Sequence, residues 1–379
     1  NAFGSGTWLS PVLEVGVRAE SIFETAKYSI GVYLNTDVDH MNTYNPVDMK
    51  THAIQIHRHG GPEVLEFVQV DVAPPAPGEI QIRQSAIGLN FADIYQRKGS
   101  HGPHGAPVFP LVPGAHGAGV VKAIGSGVKD FSIGQPVAYV HAGAYQVVRN
   151  LPAHRAVALD ERVSLEAAGA NLLRGLTAEY LLRRLYLVRP GDPVLVHAAA
   201  GGMGVLLAQW ARALGATVIG TVGSPAKKAV ALAHGCHHVI DYRAEAFAPR
   251  VLELTGGEGV AVVYDAVGRD AFLPSLDCLR SRGIAISYGT ASGDVQAFDL
   301  QRLHARSLSV CRPTLRSFIA DPRELQAAAA ALFEAVDAGH VRLDVGSRYS
   351  FSEVQRAHCE LEARMTTGAP VLLVPEGME

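Results

Sequence analysis

The run Ala199-Ala200-Gly201-Gly202-Met203-Gly204 restricts this chain more than any other: it follows the apolar stretch Pro193-Val194-Leu195-Val196 and opens the apolar segment Val205 to Leu214. A buried strand, a glycine-rich turn and a helix in that order make a phosphate-binding βαβ unit. Ala199 takes the first position of the Gly-x-Gly-x-x-Gly pattern and is small enough to keep the turn tight. Gly201 lets a backbone approach a pyrophosphate, and Gly204 lets helix and strand pack closely. Unpaired N–H groups and the positive end of the helix dipole then stabilise the anion without a charged side chain. A glycine-rich turn with no ligand is the competing reading, and the agreement of strand, glycines and helix weighs against it.

A site that prefers NAD places an acidic side chain about 20 residues downstream, at the end of the second strand, to hold the ribose hydroxyls. This chain has Gly220-Thr221-Val222-Gly223-Ser224-Pro225-Ala226-Lys227-Lys228 there. A 2′-phosphate would meet no carboxylate and would find a hydroxyl and two ammonium groups, so NADPH is the expected cofactor. The bland alternative is that Lys227 and Lys228 are solvated helix charges.

Around this unit the chain changes texture twice. Residues 1–48 lack a charged region followed by an apolar one, and the character of the sequence changes at Met49, so they are expected to be an upstream extension outside the core fold. From Lys50 to about Leu159, alternating runs such as Ala53 to His57 and Glu79 to Arg83 are punctuated by Gly60-Gly61-Pro62 and Pro74-Pro75-Ala76-Pro77-Gly78, the pattern of a partly open β-barrel. After Ser164, helices alternate with strands expected at Thr217 to Val222, His238 to Ile240, Val260 to Tyr264 and Gly283 to Tyr288, which implies a doubly wound parallel sheet. A helix over Leu325 to Ala338, another over Gln355 to Met365 and a strand over Pro370 to Val374 close the chain and are expected to return to the first domain.

Composition narrows the function classes. Lys and Arg total 33 against 36 Asp and Glu, a net charge of -3, which supplies none of the basic excess of a nucleic-acid binder. The four cysteines stand far apart, without metal-ligand spacing, and read as free thiols in a reducing cytoplasm. No apolar stretch is long enough to cross a bilayer, so no membrane partner is expected. Gly125-Ser126-Gly127 lies in the turn-rich half and precedes no helix, so it is not a nucleophile elbow.

Several further stretches carry a resemblance: His59-Gly60-Gly61-Pro62-Glu63-Val64-Leu65, Gly88-Leu89-Asn90-Phe91-Ala92-Asp93-Ile94-Tyr95, His197 to Gly204, Gly220 to Gly223, Tyr264 to Asp270, Ser287-Tyr288-Gly289 and Arg312-Pro313. Together, from Met49 to Pro375, the chain resembles the zeta-crystallin-type quinone oxidoreductases, zinc-free members of the medium-chain dehydrogenase/reductase superfamily. The resemblance implies a GroES-like catalytic domain, residues 49–172 and 313–379, clasping a Rossmann domain, residues 173–312, with NADPH in the cleft and a homodimer as the assembly. It puts Asn90 and Tyr95 beside the nicotinamide as the catalytic, substrate-positioning pair, with Arg174 and Thr177 near the cofactor at the domain boundary. Ala200, Gly201, Gly202, Met203 and Gly204 would hold the pyrophosphate, and Gly223, Ser224, Lys227 and Tyr242 the 2′-phosphate end. Val267, Tyr288, Gly289 and Thr290 would line the nicotinamide side, with Cys311, Arg312 and Arg364 approaching from neighbouring segments. The chain departs from the pattern at Arg174, where Lys is frequent, and at His116, where an acid is usual.

A zinc dehydrogenase of that superfamily needs thiolate and imidazole ligands. Asn90 stands where the resemblance would put the Cys and Ala115 where it would put the His, so no metal is expected; His101, His104 and His116 form a loose group whose spacing fits no coordination pattern. Without a Lewis acid, the easiest hydride acceptors are those that delocalise the incoming electrons, such as quinones and activated enones. With the resemblance, which implies quinone reduction, an NADPH-dependent quinone oxidoreductase is the expected function. The alternatives are an NADPH-dependent enone or alkenal reductase, and a cofactor-binding protein with a structural or RNA-associated role.

Overall fold

A computed structural model describes residues 49–100 and 108–378. The expectation for residues 1–48, and the histidines His101 and His104, lie outside the described residues.

Strands β1 (Met49–Gln55) and β2 (Glu66–Val72) form an antiparallel hairpin, followed by β3 (Glu79–Gly88) and helix α1 (Phe91–Lys98). Then come β4 (His116–Ile124), β5 (Pro136–Val140), β6 (Val148–Pro152) and β7 (Ala156–Ala158). Antiparallel pairing joins β3 to β4, β4 to β5, β5 to β7 and β3 to β6. The hairpin closes onto this sheet where the Ile54 N–H donates to the Tyr145 carbonyl (2.9 Å) and the Val147 N–H to the His52 carbonyl (2.8 Å). Ile54, Ile56, Ile80, Ile82, Val121 and Tyr145 fill the interior, so the alternating pattern became a barrel with one buried face.

Helix α2 (Leu165–Tyr180) starts at Ser164, whose hydroxyl accepts the Ala167 N–H at 3.1 Å, and is buried on nearly every side. It packs against the barrel sheet, and its other side meets the helices of the second layer. Beyond it run β8 (Pro193–Val196), α3 (Gly202–Ala213), β9 (Thr217–Val222), α4 (Pro225–Ala233), β10 (His238–Asp241), α5 (Phe247–Leu254), β11 (Val260–Asp265), α6 (Phe272–Asp277), β12 (Leu279–Ser287), α7 (Gln301–His304) and β13 (Ser309–Cys311). The six strands pair in parallel in the order β10-β9-β8-β11-β12-β13. This is the doubly wound order with its switch point between β8 and β11, so the crevice for a ligand opens at their carboxyl ends. All six residues of β11 are buried, as expected of a strand covered by helices on both faces.

Helices α8 (Leu315–Phe318) and α9 (Pro322–Asp337) lead back to β14 (Val345–Ser350), α10 (Val354–Glu362) and β15 (Ala369–Leu373). Strand β15 pairs antiparallel with β3, which brings the end of the chain onto the barrel sheet. Several boundaries differ from the sequence reading, β12 beginning at Leu279 rather than Gly283 among them, and three have a clear local reason. Helix α9 begins earlier than Leu325 because the Asp321 side chain accepts the Arg323 N–H and Pro322 sits at the first helical position. Helix α3 begins at Gly202 and so contains two glycines of the turn. Helix α10 stops at Glu362 because Arg364 turns to φ 58°, in the left-handed region. Among the described residues no helix is long and apolar enough to cross a membrane.

Candidate functional site

The glycine-rich turn joins β8 to α3 at the switch point, with Gly201 as the N-cap of α3 at φ -84°. Each small residue has its own reason. A Cβ on Gly204 would fall on the Ala198 carbonyl oxygen and lie 2.6 Å from Ala199 Cα, which is the close packing of helix on strand. A Cβ on Gly202 would come 2.7 Å from Arg174 Nε and 2.9 Å from the Gly368 carbonyl, whereas one on Gly201 would meet only the Ala198 carbonyl at 3.2 Å. Gly201 is thus the open face of the turn. The methyl of Ala199, at the position usually held by Gly, is accommodated by Gly220 on β9, where a Cβ would stand 2.7 Å from it. His197 braces the base of the turn between Thr221 Oγ1 and Ser275 Oγ, each at 2.8 Å, and burial holds its imidazole down at about 4, hence neutral.

At the tip of β9 the structure brings Gly223, Ser224, Lys227, Tyr242 and Arg364 together. The Tyr242 hydroxyl lies over the Gly223 Cα, and the Lys227 ammonium donates to the Arg364 carbonyl at 2.8 Å. Ser224 precedes Pro225 at the start of α4 and its hydroxyl makes no cap bond. Burial first, and then the charges of Arg243 and Arg364, hold the Lys227 ammonium below its ordinary pKa. None of these three cations forms an ion pair among the described residues, so an anion placed between them would relieve the repulsion. Arg243 was not singled out from the sequence; its only signal there is a cation shortly after the strand β10.

The other end of the groove is formed by α1 and the turns after β11 and β12. Val267 and Gly268 donate their N–H groups to Asp265 Oδ1 (2.7 and 3.1 Å), and burial pushes that carboxyl up to about 6. Gly289 packs on the backbone of Ala266, and Thr290 donates its N–H to the Tyr95 hydroxyl at 3.2 Å, across from one domain to the other. Tyr288 packs its ring against the core around α2, with a buried hydroxyl that has no hydrogen-bond partner among the described residues. Thr177 donates to the Leu173 carbonyl within its own helix (2.7 Å). Cys311 and Arg312 belong to the sheet edge, where Arg312 reaches the Ser287 carbonyl at 2.7 Å.

Asn90 is the N-cap of α1 and is nearly buried, at 9% exposure. Its amide nitrogen lies 3.2 Å from His116 Nδ1, and its backbone N–H donates to Asp93 Oδ2 at 2.7 Å. His116, the departure noted in the sequence, is fully buried, and that burial lowers its pKa to about 3. Arg174 lies close enough to act on both His116 and Asp93; it donates to the carbonyls of Ala170 and Leu89, fastening the residue before Asn90 to α2 and lying under Gly202. Among the described residues, no three His, Cys, Asp or Glu side chains converge as a metal site would require. Between α1 and the turn after β12 lies a cavity of about 320 Å³, lined by Phe91, Ile94, Tyr95, Lys98, Thr290 and Glu362 among others.

Residues 76–190 match the alcohol dehydrogenase GroES-like domain and residues 202–334 the zinc-binding dehydrogenase domain. The chain is 46% identical over 323 residues to a quinone oxidoreductase of Pseudomonas aeruginosa, covering 84% of this chain and 98% of that one. It is 42% identical to a 2-haloacrylate reductase of Burkholderia, covering 85% and 98%. Among solved structures, Escherichia coli quinone oxidoreductase complexed with NADPH superposes with a TM-score of 0.81 at 43% identity, covering 85% of this chain and all of that one.

Proposed function

The chain belongs to the quinone oxidoreductase family of the medium-chain dehydrogenases/reductases, and from that premise we propose that it is an NADPH-dependent quinone oxidoreductase whose acceptor sits between α1 and the turn after β12. The observation that carries this reading is the pairing of an open glycine turn at the switch point with a carboxylate-free strand tip. There Lys227, Arg243 and Arg364 gather beside Ser224 and Tyr242 without an anionic partner among the described residues. Such a donor set fits a 2′-phosphate, and the N-terminus of α3 fits a pyrophosphate.

When bound in this groove, NADPH supplies the hydride that reduces the acceptor. The residues around it position and polarise. The Tyr95 hydroxyl, which accepts the Thr290 N–H at the cavity wall, is placed to hydrogen-bond an acceptor oxygen as negative charge develops there. Asn90 holds the same region from the foot of α1, and Phe91 and Ile94 give the cavity part of an apolar wall against which a ring can lie. At about 320 Å³ the cavity is at the small end of ligand pockets, which suits a single quinone ring. An activated alkene would fit the same walls, and the 42% identity to a 2-haloacrylate reductase favours enone reduction as the second reading.

Residues 49–172 and 313–379 form the catalytic domain in this reading, and residues 173–312 the NADPH domain. Four free cysteines suit a reducing cytoplasm, and β13, an edge strand of the parallel sheet, offers the surface for a homodimer.

The test is steady-state turnover of a quinone and enone panel with NADPH and NADH, with and without a chelator, in the wild type and in Lys227→Glu. Quinone turnover with NADPH is expected to survive the chelator. Lys227→Glu is expected to raise the Michaelis constant for NADPH by about 10- to 100-fold while leaving that for NADH nearly unchanged. Equal effects on both nucleotides would overturn the cofactor assignment, and absence of binding to either would overturn the function.

A further inference from the structure

A buried hydrogen-bonded chain runs from Asn90 to the rim of the acceptor cavity. The Asn90 N–H donates to Asp93 Oδ2 (2.7 Å), which also lies 3.3 Å from the Tyr145 hydroxyl; that hydroxyl is 3.0 Å from His358 Nε2. On its other side His358 Nδ1 meets Arg97 at 3.1 Å, and Arg97 pairs with Glu362 Oε2 at 2.7 Å. Lys98, on the cavity wall, pairs with the other oxygen of Glu362. Asp93, Tyr145, His358 and Arg97 are each 0% exposed.

The donor inventory sets the direction of every link. Arg97 can only donate, so His358 Nδ1 carries no proton. Burial holds His358 down at about 3, so the ring is neutral and its one proton is on Nε2. Nε2 therefore donates to the Tyr145 oxygen, and the Tyr145 hydroxyl is left to donate to Asp93. The carboxylate ends the chain, taking one proton from the barrel and one from the backbone of Asn90. A carboxylate that accepts at one oxygen while Oδ1 has no partner among the described residues is costly to bury, and it persists only where its bonds organise something.

We propose that Asp93 is a positioning residue for the reduction site, holding Asn90 in place through the relay Tyr145–His358–Arg97 that anchors α1 to the barrel and to α10. The inference rests on the reading of Asn90 as part of the nicotinamide and acceptor site. Asn90 is gripped at both ends, its backbone by Asp93 and its amide by His116. The groups that face Asp93 are Arg174 from α2, Tyr145 from the barrel and Asn90 at the start of α1, with His358 of α10 and Arg97 one and two links behind Tyr145. Burial outweighs the hydrogen bonds and the Arg174 charge and pushes the Asp93 carboxyl up to about 7, within the range where an enzyme is assayed. His116 and His358, held at about 3, stay neutral there and leave Asp93 as the group of this cluster that titrates.

The experiment is the pH profile of kcat for quinone reduction at saturating NADPH in the wild type, Tyr145→Phe and Asp93→Asn, with NADPH affinity measured in parallel by fluorescence titration. The wild type is expected to lose turnover as pH falls through about 7. Removing the Tyr145 hydroxyl takes a donor away from the carboxylate, raises its pKa, and moves the acid limb up by roughly half to one pH unit. Asp93→Asn is expected to abolish the limb and lower kcat about tenfold, with NADPH affinity within about twofold of wild type. A Tyr145→Phe protein with an unmoved limb, or an Asp93→Asn protein that keeps it, overturns the inference while quinone reduction stands. A wild type that oxidises no NADPH overturns both. Tyr145→Phe changes no shape, so it decides the matter even where Asp93→Asn fails to fold.

Discussion

The two ends of the groove solve different physical problems. At the strand β9 end, the residues that would meet phosphate come from the turn after β8, the start of α4 and two loops, with Lys227 half-buried and Arg243 and Arg364 exposed. At the α1 end, Asn90 is fixed by Asp93, His116, Tyr145 and His358, residues spread from α1 to α10 and wholly buried. Attraction between charges tolerates errors in distance and angle, so exposed cations on mobile stems suffice to recognise phosphate. Presenting an acceptor to a hydride tolerates little error, and only short bonds in a dry interior hold a group to that standard. Binding is thus built from local sequence at one end, and orientation from long-range packing at the other.

This contrast can be broken or sharpened by experiment. The largest effect is expected from Gly204→Val, because even a Cβ falls on the Ala198 carbonyl and backbone at both ends of the contact has little room to move. Nucleotide affinity should fall by about 100-fold or more and the unfolding midpoint should drop, consistent with an overpacking cost on the order of 1–3 kcal/mol; unchanged affinity by titration would show that the turn does not hold the diphosphate. A smaller effect belongs to Tyr95→Phe, which keeps the ring but deletes the hydroxyl bonded to Thr290. Quinone turnover should fall about tenfold at nearly constant Michaelis constant for NADPH, and equal turnover would remove the polarising role assigned to that hydroxyl.

The smallest effect is one of stability against pH. His197 is held at about 4 in the folded chain, below its ordinary value of 6.5, so as pH falls below 6.5 the unfolded chain takes up the proton first. Stability therefore declines on acidification through that window, and His197→Gln should reduce the slope of unfolding free energy with pH by as much as about one proton between pH 6.5 and 4. Asp93 and Asp265 oppose it, since their raised values favour the folded chain as the pH falls, so the slope must be compared between variants and not read from the wild type alone. A denaturant series at several pH values that gave the same slope for both proteins would show His197 is not the group concerned.

How much of this was legible beforehand follows the same division. The parallel sheet, the turn at Ala199 to Gly204 and the acid-free tip of β9 are visible in the sequence because each is set by neighbours within a few residues, through hydrophobic period and the steric demands of a turn. Asp93 had a faint local signal, since an acid three residues after an N-cap Asn is a capping pattern. Tyr145, His358 and Arg97 had none. A tyrosine in a loop and a histidine on an amphipathic helix look like ordinary packing residues until the register of the barrel and the return of the chain into β15 bring them within 3.0 Å.

From its order of residues alone, this protein was bound to build a phosphate-cradling turn ahead of a helix and to leave the next strand tip open to an extra phosphate, because short-range sterics and charge decide both. Which side chains grip Asn90, which way each proton points along the chain to Glu362, and how Tyr95 meets Thr290 were decided only when distant segments packed. Hydrogen bonds act over a few ångströms, and no periodicity along the chain encodes which remote partners will come that close.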